Sequence, residues 1–191
     1  MRLYHGTQNG NLTELRADFK SGRKDDPGVI FLTDSYACAF LYASSVLRCF
    51  AVKKDGTLCF VEKAPNAFEK MYKGHGCFIF SVEVENPKKI EHITGHVYVC
   101  DHNIKLDKKK CEHIPDCYEK LLELERSGAI CLQRWENYTD EQKERVKENF
   151  IKTIAPTMKE NKLNFPETYK ILVELYPELE VKNEMLAGEK T

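Results

Sequence analysis

The residues of this chain that could do chemistry lie where short apolar strands end in polar residues. Residues 29–32 form a predicted buried strand, and residues 33–35 then offer an N-cap oxygen to a helix with apolar residues at helical spacing. Phe31 lies on this strand, and Tyr42 lies two turns into the helix. A strand that runs directly into a helix leaves backbone groups free, so this joint is a common place to hold a ligand.

A second polar strand end comes first in the chain, where Leu3-Tyr4 is followed by His5-Gly6-Thr7. A lone histidine at such a position would more often cap a buried strand than bind a ligand. Tyr42 and Phe31 could likewise be ordinary core aromatics, because they share the apolar spacing of their elements.

Cysteine and histidine pairs raise the question of a metal. Cys100-x-His102 and Cys111-x-His113 lie close together in the chain, and both residue types bind zinc. Their spacing matches no zinc pattern, so we predict no metal site.

Composition limits the classes of protein that this chain can belong to. Its 191 residues are 42% hydrophobic, which suits one domain of ordinary size with an appendage. The net charge of −1 argues against a bulk nucleic-acid binder. No run has membrane-spanning length and the N-terminus lacks a signal-peptide core, so we expect a cytoplasmic protein with no membrane partner. The eight cysteines include no Cys-x-x-Cys, and we expect free thiols.

The hydrophobic pattern predicts an α+β fold with a mostly antiparallel sheet in residues 1–135. The strongest predicted strand covers residues 77–85, and Asp55-Gly56 marks a hairpin turn. Residues 136–180 are predicted to be a helical appendage, with helices that begin after Thr139 and at Pro166. Residues 181–191 are predicted to be a disordered tail.

Leu3-Tyr-His-Gly-Thr7, followed by residues 29–34 and Tyr42, resembles the ADP-ribosyltransferase superfamily. The closer branch is the diphtheria-toxin and poly(ADP-ribose)-polymerase type, whose signature is a histidine, a tyrosine and an acid. That branch has His-Gly-Ser or His-Gly-Thr on its first strand, then a strand aromatic, an Asp, and a Tyr eight residues beyond the Asp. Phe31, Asp34 and Tyr42 match this order. The resemblance covers roughly residues 1–107 and implies a split-sheet core.

The resemblance implies that NAD is the substrate and assigns a role to each matching residue. His5 would hydrogen-bond the ribose on the adenosine side, Gly6 would offer backbone groups to the nicotinamide carboxamide, and Thr7 would be a supporting hydroxyl. Phe31 and Tyr42 would sandwich the nicotinamide ring. One departure is Ala39, since poly(ADP-ribose) polymerases have a hydroxyl residue three before the helix tyrosine.

The family also needs an acid that stabilises the positive charge formed on the ribose when the bond to nicotinamide breaks. That acid is a Glu at the start of a late strand, and the closest match is Asp101, which follows the predicted strand 96–100. Asp is one methylene shorter than Glu. Glu91, Glu83 and Glu85 therefore stay open as alternatives to Asp101.

The resemblance therefore implies an enzyme that cleaves NAD and transfers a single ADP-ribose to an unknown protein or nucleic-acid acceptor. A toxin or effector, with an inhibitor or immunity partner, would suit the compact size. The alternative is a non-catalytic module of the same fold that binds NAD or ADP-ribose. An RNA 2′-phosphotransferase shares the fold but needs site arginines, and few lie near these motifs.

Overall fold

The computed structural model of the protein describes residues 1–18, 28–44, 49–84 and 90–180. Glu85 and the predicted tail 181–191 lie outside these ranges. The strands are β1 (Arg2–Thr7), β2 (Glu14–Leu15), β3 (Ile30–Thr33), β4 (Phe50–Val52), β5 (Leu58–Val61), β6 (Cys77–Glu83), β7 (Ile90–Thr94), β8 (Val97–Cys100), β9 (Ile104–Lys105), β10 (Cys111–Ile114) and β11 (Ile130–Gln133). The helices are α1 (Tyr36–Ser44), α2 (Ala67–Tyr72), α3 (Cys117–Arg126), α4 (Asp140–Ile154), α5 (Met158–Asn164) and α6 (Pro166–Leu175). The fold is therefore α+β, as the sequence predicts.

The chain divides into two compact units. Unit 1 comprises Met1–Arg48, Val52–Leu58 and Tyr72–Ile130. Unit 2 comprises Cys49–Ala51, Cys59–Met71 and Cys131–Thr191. The helical region after residue 135 thus shares its unit with two earlier segments, whereas the sequence suggested one boundary at residue 135.

Unit 1 is built on a six-stranded sheet with the order β10-β6-β1-β3-β8-β7, in which neighbouring strands are antiparallel. The central strand β1 is in register with β6 from Arg2 opposite Glu83 to Thr7 opposite Phe78. On its other side β1 meets β3 at Tyr4 opposite Thr33. The carboxyl end of β1 therefore lies at the same end of the sheet as the start of β3.

The two faces of this sheet are covered differently. On one face a buried cluster consists of Leu3, Leu15, Ile30, Leu32, Val82 and Cys100. On the other face α1 packs on β1, because the ring of Tyr36 meets that of Tyr4 edge-on, with centroids 5.8 Å apart. This contact holds the start of α1 against β1, next to the joint that the sequence singled out.

Unit 2 contains the three-stranded sheet β11-β5-β4. Cys59 of β5 and Cys131 of β11 form a disulfide, so the prediction of free thiols is wrong for these two residues. The chain offers no pattern that would have paired cysteines 72 positions apart. The other six cysteines are free thiols.

Helix signals in the sequence agree with the structure. Thr139 and Gln142 form a capping box at the start of α4, and Asp116 caps α3 by accepting from the backbone N–H groups of Tyr118 and Glu119. Helix α6 begins at Pro166. The short helix α5 was not predicted. Among the described residues, no helix has both the length and the apolar character needed to cross a membrane.

Candidate active site

The candidate residues of the sequence meet at one end of the unit 1 sheet. His5, Gly6 and Thr7 occupy the carboxyl end of β1, and Phe31 lies near the start of the antiparallel strand β3. Strand β8 is antiparallel to β3 with Cys100 opposite Ile30, so Asp101 follows at this same end. Residues up to 96 positions apart are brought together by this register.

The His5 ring links β1 to β3 past the point where the two backbones are paired. Its Nδ1 lies 3.1 Å from the carbonyl oxygen of Phe31, an acceptor, so Nδ1 carries the proton that is donated. Burial lowers the pKa of His5 below its ordinary value, although the bond to Phe31 opposes this shift. A neutral His5 with a protonated Nδ1 keeps Nε2 as a hydrogen-bond acceptor.

Gly6 is required by the packing of α1. A Cβ atom at residue 6 would lie 1.9 Å from the carbonyl oxygen of Ala39 and 2.9 Å from the Cβ atom of Ala43. The space above this glycine is thus filled by the helix. The absence of a side chain at Gly6 therefore serves the contact between helix and strand, a reason that the sequence did not reveal.

Thr7 ends the strand in a local turn, since its Oγ1 accepts a hydrogen bond from the backbone N–H of Asn9 at 3.1 Å. This bond holds the first turn after β1 and supports the position of His5 and Gly6 before it. Thr7 is thus a supporting residue in the geometry of the loop.

Phe31 and Tyr42 are the exposed Phe and Tyr side chains among the described residues of unit 1, at 46% and 39% exposure. Ile30 and Leu32 point into the core cluster, so Phe31 points to the opposite face, the face that α1 covers. Tyr42 lies on α1 between Ala39 and Ala43, the two residues of the helix that sit against Gly6. Both rings therefore border the same helix–strand joint with a large fraction of their surface open.

Asp101 comes directly after β8 and lies at the protein surface, with 73% of its side chain exposed. Its Oδ1 lies 3.1 Å from Nδ1 of His102. The preceding Cys100 is buried, and its Sγ lies 3.1 Å from the same ring nitrogen. Potential ligand atoms of Cys100, Asp101 and His102 lie within 4.8 Å of one another. Two of these three consecutive residues are exposed, so together they make only a weak metal site.

The other acids weighed from the sequence lie elsewhere. Glu83 is opposite Arg2 at the far end of β1 and accepts a hydrogen bond from its guanidinium at 3.1 Å. Glu91 lies on the edge strand β7 opposite Val99, one strand farther from β1 than Asp101. Glu85 is outside the described residues. Among the acids of this group that the structure describes, Asp101 therefore lies closest in the sheet to the carboxyl end of β1.

The two Cys-x-His pairs are not brought together. Cys111 and His113 lie on β10, at the opposite edge region of the sheet from β8, with β6, β1 and β3 between them. The His113 ring stacks on Phe78 with centroids 4.7 Å apart. A shared metal site of the two pairs is thus excluded by the sheet order.

Sequence reasoning missed one cluster of polar side chains. Nδ1 of His96 lies 2.7 Å from Oδ1 of Asp34, and the hydroxyl of Tyr98 donates to Oδ2 of Asp34 at 3.0 Å. The sequence marks Asp34 only as a candidate N-cap and as the Asp eight residues before Tyr42, and 62 positions separate it from His96. Asp34 meets His96 because Thr33 of β3 lies opposite Val97 of β8. No local sequence pattern predicts this strand register.

Comparison of the chain with protein-family models, curated proteins and solved structures gives no match. A functional assignment therefore depends on the residues of the site itself.

Proposed function

We propose that this chain is an NAD-dependent ADP-ribosyltransferase that cleaves the bond between nicotinamide and ribose and transfers one ADP-ribose to a protein or nucleic-acid acceptor. The sheet of unit 1 would be its split-sheet core. The proposal is carried by the hydrogen bond of the His5 ring to the backbone of Phe31, where β1 and β3 are no longer paired, together with the exposed rings of Phe31 and Tyr42.

The protonation state of His5 supports the binding of a ribose. A neutral ring that donates from Nδ1 to Phe31 presents an acceptor at Nε2, which suits a ribose hydroxyl. The bond to Phe31 also links the ribose-binding residue to the strand that bears a stacking ring.

The exposed rings of Phe31 and Tyr42 support the binding of nicotinamide. Exposed aromatic rings cost free energy in water, and a flat ligand between them would remove that cost and add about 1 kcal/mol of stacking. The tight contact of Gly6 with Ala39 fixes the helix that bears Tyr42. This contact would hold Tyr42 in place before any ligand binds.

Asp101 is the proposed acid. Breaking the nicotinamide bond builds positive charge on the ribose, and a nearby carboxylate lowers the barrier through its opposite charge. Its exposed position at the end of β8 leaves it accessible to a substrate at this end of the sheet. The hydrogen bond to His102 orients the carboxylate.

The proposal is tested by incubating the purified protein with NAD and measuring the release of nicotinamide. Asp101→Asn should lower the release at least about 100-fold, the scale of losing one electrostatic stabiliser. Glu83→Gln is the matched control, because this acid is paired with Arg2 at the far end of the sheet. If nicotinamide release is lost only in Glu91→Gln, the catalytic acid would be Glu91 of β7 rather than Asp101.

The alternative is a non-catalytic module that binds NAD or ADP-ribose. The shorter acid, Asp101, and the lack of a hydroxyl at Ala39, which is 1% exposed against the strand, favour it. NAD that binds without release of nicotinamide would support this alternative. Absence of both binding and release would reject the site.

A further inference from the structure

Three side chains that can bind a metal converge at the carboxyl end of β8. Nδ1 of His102 lies 3.1 Å from Sγ of Cys100 and 3.1 Å from Oδ1 of Asp101. All three ligand atoms lie within 4.8 Å of one another, and within the described ranges no other group of three such side chains is this close. The cluster includes the carboxylate that is proposed above as the catalytic acid.

The separations of these atoms approach those of a zinc site. Bonds to zinc are about 2.0–2.3 Å long, so the ligand atoms of a tetrahedral site lie about 3.3–3.6 Å apart. Asp101 and His102 have 73% and 45% of their side chains exposed, so both can turn by the small amount that this spacing requires. Cys100 is buried at the end of β8 and provides a ligand that the sheet holds in place.

The bend after β8 creates this convergence, as a second triplet of the chain shows. Cys111-Glu112-His113 has the same order of cysteine, acid and histidine but lies entirely on β10. Side chains alternate along a strand, so Glu112 points to the opposite face from the other two. Glu112 instead accepts a hydrogen bond from the hydroxyl of Tyr36 at 2.9 Å. The triplet on β10 is therefore an internal control for the triplet after β8.

The ligand types of the cluster select the class of metal. A thiolate and an imidazole favour zinc and similar transition ions over Mg²⁺ and Ca²⁺, which prefer oxygen ligands. The neighbouring amide of Asn103 is engaged, because its Oδ1 accepts from the backbone N–H of Ala17 at 3.0 Å. Water would therefore fill the fourth position of a tetrahedral zinc ion. Three protein ligands, two of them exposed, suit an ion that binds weakly and reversibly.

We propose that Cys100, Asp101 and His102 bind Zn²⁺ and that the bound ion inhibits the cleavage of NAD. The inhibition rests on the proposed function, whereas the binding of zinc does not. A carboxylate that coordinates a divalent cation no longer offers its full negative charge to the ribose. The ion also adds positive charge close to the place where the reaction develops positive charge, so the barrier rises.

The binding step balances in protons. Zn²⁺ replaces the thiol proton of Cys100, which passes to solvent. Without metal, Nδ1 of His102 donates to the carboxylate of Asp101. This nitrogen must lose its proton to solvent while Nε2 gains one, so that a neutral imidazole coordinates through Nδ1. One proton is thus released for each ion bound.

Binding is tested on the full chain with Co²⁺, a coloured substitute for Zn²⁺, and by isothermal titration calorimetry with Zn²⁺. A thiolate–cobalt absorption band should appear and should disappear when excess Zn²⁺ is added. His102→Ala should weaken zinc binding at least about tenfold, since even an outer-shell partner of a metal contributes that much. His113→Ala is the matched control, because His113 belongs to the triplet on β10. It should leave the band and the affinity unchanged.

Inhibition is tested by measuring nicotinamide release with and without Zn²⁺. Saturating zinc should lower the release at least about 100-fold, the same loss as Asp101→Asn, and a chelator should restore it. Cys100→Ala should retain the release and lose its sensitivity to zinc, whereas Cys111→Ala should be inhibited like the wild type. Mg²⁺ controls for a cation on the phosphates of NAD and should not inhibit.

The outcomes separate the zinc site, the inhibition and the proposed function. A zinc affinity and a cobalt band that are unchanged in both His102→Ala and Cys100→Ala overturn the site. Zinc that binds there without lowering nicotinamide release overturns the inhibition alone. No nicotinamide release by the wild-type chain without zinc overturns the proposed function and the inhibition with it, while the cobalt band still tests the site.

Discussion

Gly6 lies directly against the carbonyl oxygen of Ala39, so that a Cβ atom on residue 6 would come within 1.9 Å of it. This carbonyl oxygen belongs to the backbone of α1, which cannot rotate away from a clash as a side chain could. The position of α1, and with it the position of Tyr42, therefore depends on the absence of one methyl group.

Gly6→Ala is expected to displace α1 and to lower the free energy of unfolding by about 3 kcal/mol, the upper range for overpacking. Urea denaturation followed by circular dichroism measures the change. Gly74→Ala is the control, because Gly74 has a φ of +73° but no atom near its Cβ position. It should cost only about 1 kcal/mol, from backbone strain alone. Equal costs for both variants would contradict the tight contact.

His5 is expected to make the stability of unit 1 depend on pH. Burial lowers the pKa of His5 in the folded protein below its unfolded value of 6.5, so protonation favours the unfolded state. The contribution of neutral His5 is complete above pH 6.5 and is lost as the pH falls below that value.

His5→Asn tests this dependence, because its amide can donate to Phe31 as Nδ1 does but does not titrate. The wild-type protein should lose more stability between pH 8 and pH 5 than the variant, by urea denaturation at each pH. The same variant lacks the Nε2 acceptor and should release less nicotinamide at pH 8. Identical pH profiles would mean that His5 is protonated or exposed in the folded protein.

Local patterns in the sequence were sufficient to predict several elements. The strand predicted at residues 29–32, the helix that follows it and the cap at Thr139 depend on neighbouring residues, and the structure has all three, with the strand at Ile30–Thr33. The α+β class follows from them. Helix α5 escaped prediction because Met158–Asn164 has polar residues around most of its surface and no N-cap side-chain bond.

Relations across the sheet could not be predicted from the sequence. The pairing of Asp34 with His96 depends on the register of β3 and β8, and the pairing of Cys59 with Cys131 depends on β5 lying beside β11. Each partner lies more than 60 positions away, and single residues carry no signal of such a register. The sequence could propose His5, Phe31 and Tyr42 as a set only because a family pattern supplied the order.

The disulfide of unit 2 is expected to contribute to stability. It closes a loop of 72 residues, for which the chain-entropy relation gives about 4 kcal/mol. Cys131→Ala should therefore lower the melting temperature by several degrees, as should a reducing agent added to the wild-type protein. Cys111→Ala, which removes a free thiol, is the control. Titration of eight rather than six free thiols in the unreduced, denatured protein would contradict the disulfide.

Tyr42 and Phe31 are expected to bind NAD through their rings rather than through a hydroxyl. Tyr42→Ala should weaken NAD binding at least about fivefold, since stacking contributes about 1 kcal/mol beyond the burial of the ring. Tyr42→Phe keeps the ring and should bind within about threefold of the wild type. Isothermal titration calorimetry with NAD measures both.

Phe165→Ala is the control for a general loss of exposed aromatic surface, because Phe165 is 50% exposed in unit 2. It should leave NAD binding unchanged. If Tyr42→Phe binds NAD as weakly as Tyr42→Ala does, the hydroxyl of Tyr42 makes the contact. The proposed sandwich of nicotinamide between two rings would then be wrong.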